Sequence, residues 1–192
     1  MTHSGTLALK RLTLTDFRNY AGLRLDVDGP AIALTGPNGA GKTNLLEAIS
    51  LLAPGRGLRG AAFEDLARQG GSGTWAIAVE AETPEGPVSL GTGWSGQGEG
   101  DSPAQGRLVL VDGHVQKSSG ALGQFMRVLW LTPAMDRLFA GPASDRRRFM
   151  DRLVAAFDPE HASRLLVFEK VMRERNLLLE DPRADGTWLA SL

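Results

Sequence analysis

The 192-residue chain has no cysteine, which excludes a disulfide scaffold, a thiolate metal site and a thiol nucleophile. It also lacks a charge excess: 21 Lys and Arg against 22 Asp and Glu leave a formal charge of −1. No global basic surface advertises nucleic acid, so any such footprint has to be local. The three histidines, His3, His114 and His161, are scattered without metal-ligand spacing. No apolar run reaches the roughly 20 residues of a membrane span. The opening Met1-Thr2-His3-Ser4-Gly5 lacks the charged-then-apolar pattern of a secretory signal. These absences predict a soluble, cytoplasmic chain with no membrane partner. At 42% hydrophobic and 22% charged residues, the composition is that of a globular domain, alone or with an added lobe.

Apolar residues alternate through Leu7, Leu9 and again through Leu12, Leu14, which predicts a strand with a register shift at Lys10-Arg11. Leu23, Leu25 and Val27 repeat the alternation, so the first two strands are expected as an antiparallel pair. After the turn Asp28-Gly29-Pro30, the continuous run Ala31-Ile32-Ala33-Leu34 predicts a strand buried on both faces. Leu45, Leu46, Ala48, Ile49 and Leu52 recur at helical spacing until Pro54-Gly55 stops the helix. Strands are expected at Thr74–Ala81, Val88–Trp94 and Leu108–Val111, the last closed by an Asp112-Gly113 two-residue turn. Five glycines between Gly91 and Gly100, followed by Asp101-Ser102-Pro103, predict a mobile hairpin loop. From Leu122 onward the pattern is helical, apart from a strand at Val128-Leu129-Trp130-Leu131. Pro142 and Pro159 sit where helices can begin. Phe149, Leu153 and Phe157 supply one apolar helix face, and Leu165, Phe168, Met172, Arg175 and Leu179 form a seam on another helix that ends at Asp181-Pro182.

Between the expected buried strand and its helix lies Gly36-Pro37-Asn38-Gly39-Ala40-Gly41-Lys42-Thr43, which fits the phosphate-loop pattern G-x-x-x-x-G-K-[ST]. Successive backbone N–H groups have to curl around a phosphate there, and side chains at the glycine positions would obstruct the approach. The helix that follows points its positive end at the anion. Lys42 is expected to reach the β- and γ-phosphates of ATP, and the Thr43 hydroxyl to ligate Mg²⁺. The strand-before, helix-after context separates this loop from a chance match.

The words around the loop narrow the family. Asp16-Phe17-Arg18-Asn19-Tyr20 precedes it, and Thr43-Asn44-Leu45-Leu46-Glu47-Ala48-Ile49 follows. These resemble the ATP-binding-cassette (ABC) head of the SMC-like DNA-repair ATPases, and within them the RecF family of bacterial recombinational repair. Gly57-Leu58-Arg59 through Gly70, and Leu131-Thr132-Pro133 through Arg146-Arg147-Arg148-Phe149-Met150-Asp151, extend the resemblance to about residues 7–180. The spacing from Pro142 to Arg146 is one residue longer than the family pattern. The resemblance implies an α/β P-loop NTPase of ABC/SMC-head type, with an antiparallel β subdomain and an appended α-helical lobe. Residues 1–122 would form part of the ATP-binding head and 123–192 the start of the helical lobe, without the C-terminal Walker B and signature half. Arg18, Asn19 and Asn44 would lie beside the nucleotide, although Arg18 could instead cap the sheet edge. The family's partners would be DNA at single-strand/duplex junctions, a second copy joined by ATP, recombination mediator proteins and the recombinase, in replication and the SOS response.

ABC-type hydrolysis needs an apolar strand ending in paired carboxylates and a serine-glycine signature loop. Leu108-Val109-Leu110-Val111-Asp112 is the one candidate strand, but Gly113 follows where a second acid is needed, so a hairpin turn is the stronger reading. The chain alone is therefore expected not to hydrolyse ATP. Between Arg137 and Arg152, five arginines against Asp145 and Asp151 give a local excess of +3. Arg146, Arg147, Arg148 and Arg152 are candidate DNA-phosphate contacts, salt-dependent and blind to sequence. The alternative is that they pair with nearby acids and serve packing. Two rival functions stay open: another SMC-like or ABC-type head, and a P-loop phosphotransferase acting on a small metabolite.

Overall fold

The computed structural model describes residues 7–29, 31–96, 106–158 and 160–180. Its centre is an antiparallel six-stranded sheet in the order β2-β1-β3-β4-β5-β6. Strand β1 (Ala8–Phe17) turns back through Arg18-Asn19 into β2 (Tyr20–Asp26), with Leu12 opposite Leu25 and Leu14 opposite Leu23. The expected register shift is present: β1 slips against β3 (Trp75–Thr83) between Leu9 and Arg11. Along β3 the odd positions from Trp75 to Thr83 are buried and the even ones exposed, as a sheet with one covered face requires. Strand β4 (Gly86–Trp94) follows, with Gly93 directly across from Ala76. A Cβ on Gly93 would stand 2.7 Å from the Trp75 carbonyl oxygen, so only glycine fits.

Strands β5 (Leu108–Val111) and β6 (His114–Val115) close the sheet through Asp112-Gly113, both with positive φ, 47° and 79°. That is the conformation a two-residue hairpin demands. The Asp112 carboxylate accepts the Ser89 N–H at 2.8 Å, so this acid belongs to the turn.

Helix α1 (Lys42–Ser50) lays Ala48 with Leu51 and Leu52 against the sheet residues Leu12, Leu14, Phe17, Trp75, Ile77, Val79, Leu90 and Val109. Each such buried aliphatic side chain contributes about 1.5–3 kcal/mol. Arg107 caps the far end of α1. Its guanidinium donates to the carbonyls of Leu51, Ala53 (3.2 Å) and Gly55 (2.9 Å) and to Thr92 Oγ1 (2.8 Å). A cation suits the negative end of a helix, and burial pushes its pKa down to about 10.

Two expected strands do not form. Ala31–Leu34 and Val128–Leu131 pair with no strand among the described residues. Ile32 is 49% exposed and Leu131 78%. Apolarity alone does not make a strand; the backbone groups need a ladder partner, and the six antiparallel strands do not reach either run.

The chain divides into two compact units, 1–131 and 132–192. The second holds a short 3-10 turn (Pro133–Arg137), α2 (Ala143–Phe157) and α3 (His161–Glu180), with α2 packed on α3. Pro142 sits at the N-cap of α2. Phe149 and Leu153 are half-buried, but Phe157, expected on the same face, is 72% exposed. On the α3 seam Leu165 and Met172 are half-buried, whereas Phe168 and Leu179 are exposed. The expected loop tip at 97–105, Pro159 and the Asp181-Pro182 stop lie outside the described residues.

Candidate functional site

The phosphate-loop sequence forms an exposed curl ending at the N-terminus of α1. Gly36, Gly39 and Gly41 adopt φ of 144°, 83° and 99°, a backbone region that side chains disfavour. Ala40 N–H bonds the Pro37 carbonyl at 3.3 Å and Asn44 N–H the Gly41 carbonyl at 2.8 Å. Among the described residues, the N–H groups of Gly39, Gly41, Lys42 and Thr43 donate to no protein acceptor. Unsatisfied donors at a helix N-terminus make a ready anion site. Lys42 Nζ folds back onto its own loop, donating to the Gly36 and Pro37 carbonyls at 2.6 and 2.7 Å. Asn38 and Thr43 are exposed at the curl.

The β1–β2 turn closes over the loop. Gly41, whose φ of 99° already disfavours a side chain, lies under the ends of Tyr20 and Asn19: a Cβ there would stand 2.6 Å from Tyr20 Oη and 2.7 Å from Asn19 Nδ2. Asn44 Nδ2 donates to Asn19 Oδ1 at 2.7 Å. The turn is held under strain: Asp16 and Arg18 have φ of 45° and 54°, a conformation that costs non-glycine residues about 1–3 kcal/mol each. Flanking bonds compensate. Arg18 N–H reaches the Leu66 carbonyl at 2.8 Å and Arg68 N–H the Asp16 carbonyl at 2.7 Å, clasping Phe17 against Ala67. Arg68 Nε also donates to Asp16 Oδ1 at 2.8 Å and Ser72 N–H to Oδ2 at 3.1 Å. These bonds, led by the one from Arg68, lower the Asp16 pKa to about 2.

The twisted turn aims Arg18 at Glu47, a fully buried carboxylate on α1. Arg18 Nε and Nη2 grip its two oxygens at 2.9 Å each, and Arg59 Nη1 adds a third bond at 2.7 Å. Arg59 Nη1 also donates to Asn44 Oδ1 at 2.8 Å. Beside the phosphate-loop helix this network opens a cleft of about 680 Å³ whose charged lining is mixed, Arg18, Arg59 and Arg68 with Glu64 and Asp65, alongside amides that include Asn19 and Asn44.

Arg18, Asn19, Asn44 and the loop are thus brought together. The sequence motifs give Glu47 and Arg59 no role; the signal they carry is an acid among the inward-facing positions of α1. The candidate DNA arginines are placed separately, in the second unit. Arg146 caps the preceding turn through the Gly141 carbonyl at 2.7 Å, and Arg147 stacks over the Phe168 ring at 5.0 Å. Arg148 is 78% exposed, with Asp145 at 3.7 Å. Burial lowers the Arg152 pKa.

Comparison with known proteins bears on both units. A family model described as an AAA domain matches residues 11–68. "DNA replication and repair protein RecF" of Mesorhizobium japonicum is 53% identical over 185 residues, covering 96% of this chain and 48% of that protein. The RecF of Rhizobium leguminosarum bv. trifolii is 50% identical over 186 residues, covering 97% and 49%. The chain therefore spans about half the length of the curated relatives it matches. Among solved structures, the recombination mediator protein RecF-ATPrS superposes with a TM-score of 0.81 at 24% identity, over 94% of this chain and 47% of that one. RecF-ATP gives 0.73 at 25% identity, over 91% and 46%. These two likenesses support the ABC-type P-loop fold.

Proposed function

Since the chain is related to RecF along nearly its whole length and spans about half of RecF's own, we propose that it carries the phosphate-binding part of an ATP-dependent DNA replication and repair head. The observation that carries this reading is the curl at residues 36–43, whose free N–H groups converge at the start of α1. A triphosphate satisfies those donors and the helix dipole together. Lys42 then exchanges two backbone carbonyls for β- and γ-phosphate oxygens. The amide-rich cleft beside Asn19 and Asn44 takes the nucleoside end.

Thr43, exposed next to Lys42, is the residue of this loop suited to Mg²⁺, which supplies charge neutralisation on the phosphates when bound. Among the described residues no group of three His, Asp or Glu could hold an ion alone, so the metal arrives with the nucleotide. With Asp112 committed to a turn, this chain by itself binds ATP without turning it over.

The remaining parts of the proposal follow the family. Residues 1–122 belong to the nucleotide head and 123–192 to a helical lobe, in a cytoplasmic protein. Two copies pair through ATP, and the assembly meets single-strand/duplex junction DNA, mediator proteins and recombinase in the repair response. Of the arginine cluster, Arg148 is the most open to a DNA phosphate, since Arg146 and Arg147 already serve the turn and the α2–α3 packing.

Calorimetry with ATP and magnesium tests the central reading: binding is expected, and Lys42→Ala should abolish it. A wild-type chain giving no heat with adenine nucleotides would sink the proposal. A gel shift with junction DNA and ATP separates it from a small-molecule phosphotransferase, which would retain no DNA.

A further inference from the structure

Of the four asparagines, Asn38 alone precedes a glycine; Asn19 precedes Tyr20, and Asn44 and Asn176 precede leucine. Their surroundings differ as well. Asn44 Nδ2 donates to Asn19 Oδ1 at 2.7 Å, and Asn44 and Asn176 lie within helices α1 and α3. Asn38 is exposed on the phosphate curl, and its side chain makes no hydrogen bond among the described residues.

The backbone after Asn38 is open to it. Residues 37–40 form a turn closed by Ala40 N–H to the Pro37 carbonyl at 3.3 Å, with Gly39 at φ 83°, the place in a type II turn that glycine fills. The Gly39 N–H donates to no protein acceptor among the described residues. A Cβ built on Gly39 would meet no atom within 4 Å, so nothing crowds the peptide nitrogen.

We propose that Asn38 is a deamidation site, through which an empty phosphate loop converts itself into an acidic form that no longer holds a triphosphate. The Gly39 nitrogen, its proton lost to hydroxide, attacks Asn38 Cγ. The new N–Cγ bond closes a succinimide ring as the Cγ–Nδ2 bond breaks, and Nδ2 leaves as ammonia with a proton from water. A water molecule then opens the ring at either carbonyl, leaving an aspartate or an isoaspartate whose main chain runs through Cγ. The net change is water in, ammonia out and a negative charge gained. That carboxylate adjoins Pro37, whose carbonyl holds Lys42 Nζ at 2.7 Å. It competes with a phosphate for the lysine and for the N–H groups at the start of α1, and repels the phosphate by like charge. This consequence rests on the nucleotide reading above; the ring chemistry does not. A bound triphosphate occupies the Gly39 N–H and slows the attack, so filled loops are spared.

The test ages the chain at mildly alkaline pH with and without ATP-magnesium, maps deamidation by peptide mass spectrometry, and titrates ATP into fresh and aged samples. Asn38 should deamidate ahead of Asn19, Asn44 and Asn176, and more slowly with nucleotide present. The modified fraction should bind ATP about tenfold more weakly, the scale of a like charge a few ångströms from a phosphate, with an unchanged melting temperature. Freshly purified Asn38→Asp should show the affinity of the aged chain. Asn38→Gln, whose longer side chain closes the ring poorly, should keep through ageing whatever affinity it starts with. A fresh wild type that binds no ATP would overturn the nucleotide reading, while the mass spectra still report on Asn38. Deamidation at Asn38 no faster than at Asn176 would overturn the site itself. Complete conversion with ATP binding intact would overturn its effect on the loop. So would an Asn38→Asp chain whose melting temperature falls along with its affinity, since that marks a damaged fold rather than a charged cradle.

Discussion

Strand β3 buries every second residue from Trp75 to Thr83, whereas Ala31–Leu34, no less apolar, leaves Ile32 half exposed and forms no strand. The two regions differ in where their hydrogen-bonding partners lie. Every ladder of the sheet except β1–β3 joins strands consecutive in sequence, so closure entropy is small and each hairpin presents a ready edge. The runs at 31–34 and 128–131 flank the phosphate loop and the second unit, with no described strand alongside. Among the described residues, the loop that the sheet supports is held by the β1–β2 turn and the Glu47 network.

Perturbations should fall unequally on the two regions. Glu47→Ala is expected to be the most damaging, at about 4 kcal/mol, because it removes three charge-assisted hydrogen bonds and empties a fully buried position; urea denaturation reads it. A loss below 1 kcal/mol would show that the network does not hold the loop side together. Leu90→Ala, in the fully buried core, should cost about 3 kcal/mol by the same measurement.

The acid clamp on the turn gives a smaller, pH-dependent effect. Asp16 is held at about 2 against 3.8, so its contribution is full above the unfolded value and drains away as pH falls toward 2. Asp16→Asn should be less stable than wild type at neutral pH. That difference should shrink in melts taken from pH 5 down to 2; a gap constant with pH would remove the carboxylate from the explanation. The smallest effect is expected at Leu131→Ala, within about 0.5 kcal/mol, as for exposed positions generally. A cost near that of Leu90→Ala would mean the run is buried in solution, and the contrast would fail.

The legible parts were those with a local signature. Alternation placed β1 and β2, short apolar strand patterns placed β3 to β5, the Lys10-Arg11 slip matched a real register shift, and Asp112-Gly113 was recognisable as a turn because that pair favours positive φ. The phosphate loop was legible because its chemistry dictates residue type and spacing over eight consecutive positions. Glu47 was not, since an acid on a helix reads as surface until the arginines from residues 18 and 59 are known to converge on it. Arg107 was equally silent: all but one of its acceptors are backbone carbonyls, which leave no mark in a sequence.

Residue order alone set the strand periodicity, the turn types and the glycine-lysine-threonine curl, because each depends on dihedral preferences and side-chain faces within a few neighbours. The three-dimensional fold decided which apolar runs acquire ladder partners, and which arginines converge on the buried Glu47. Both outcomes depend on groups far apart along the chain meeting within hydrogen-bond distance, and no local preference encodes that.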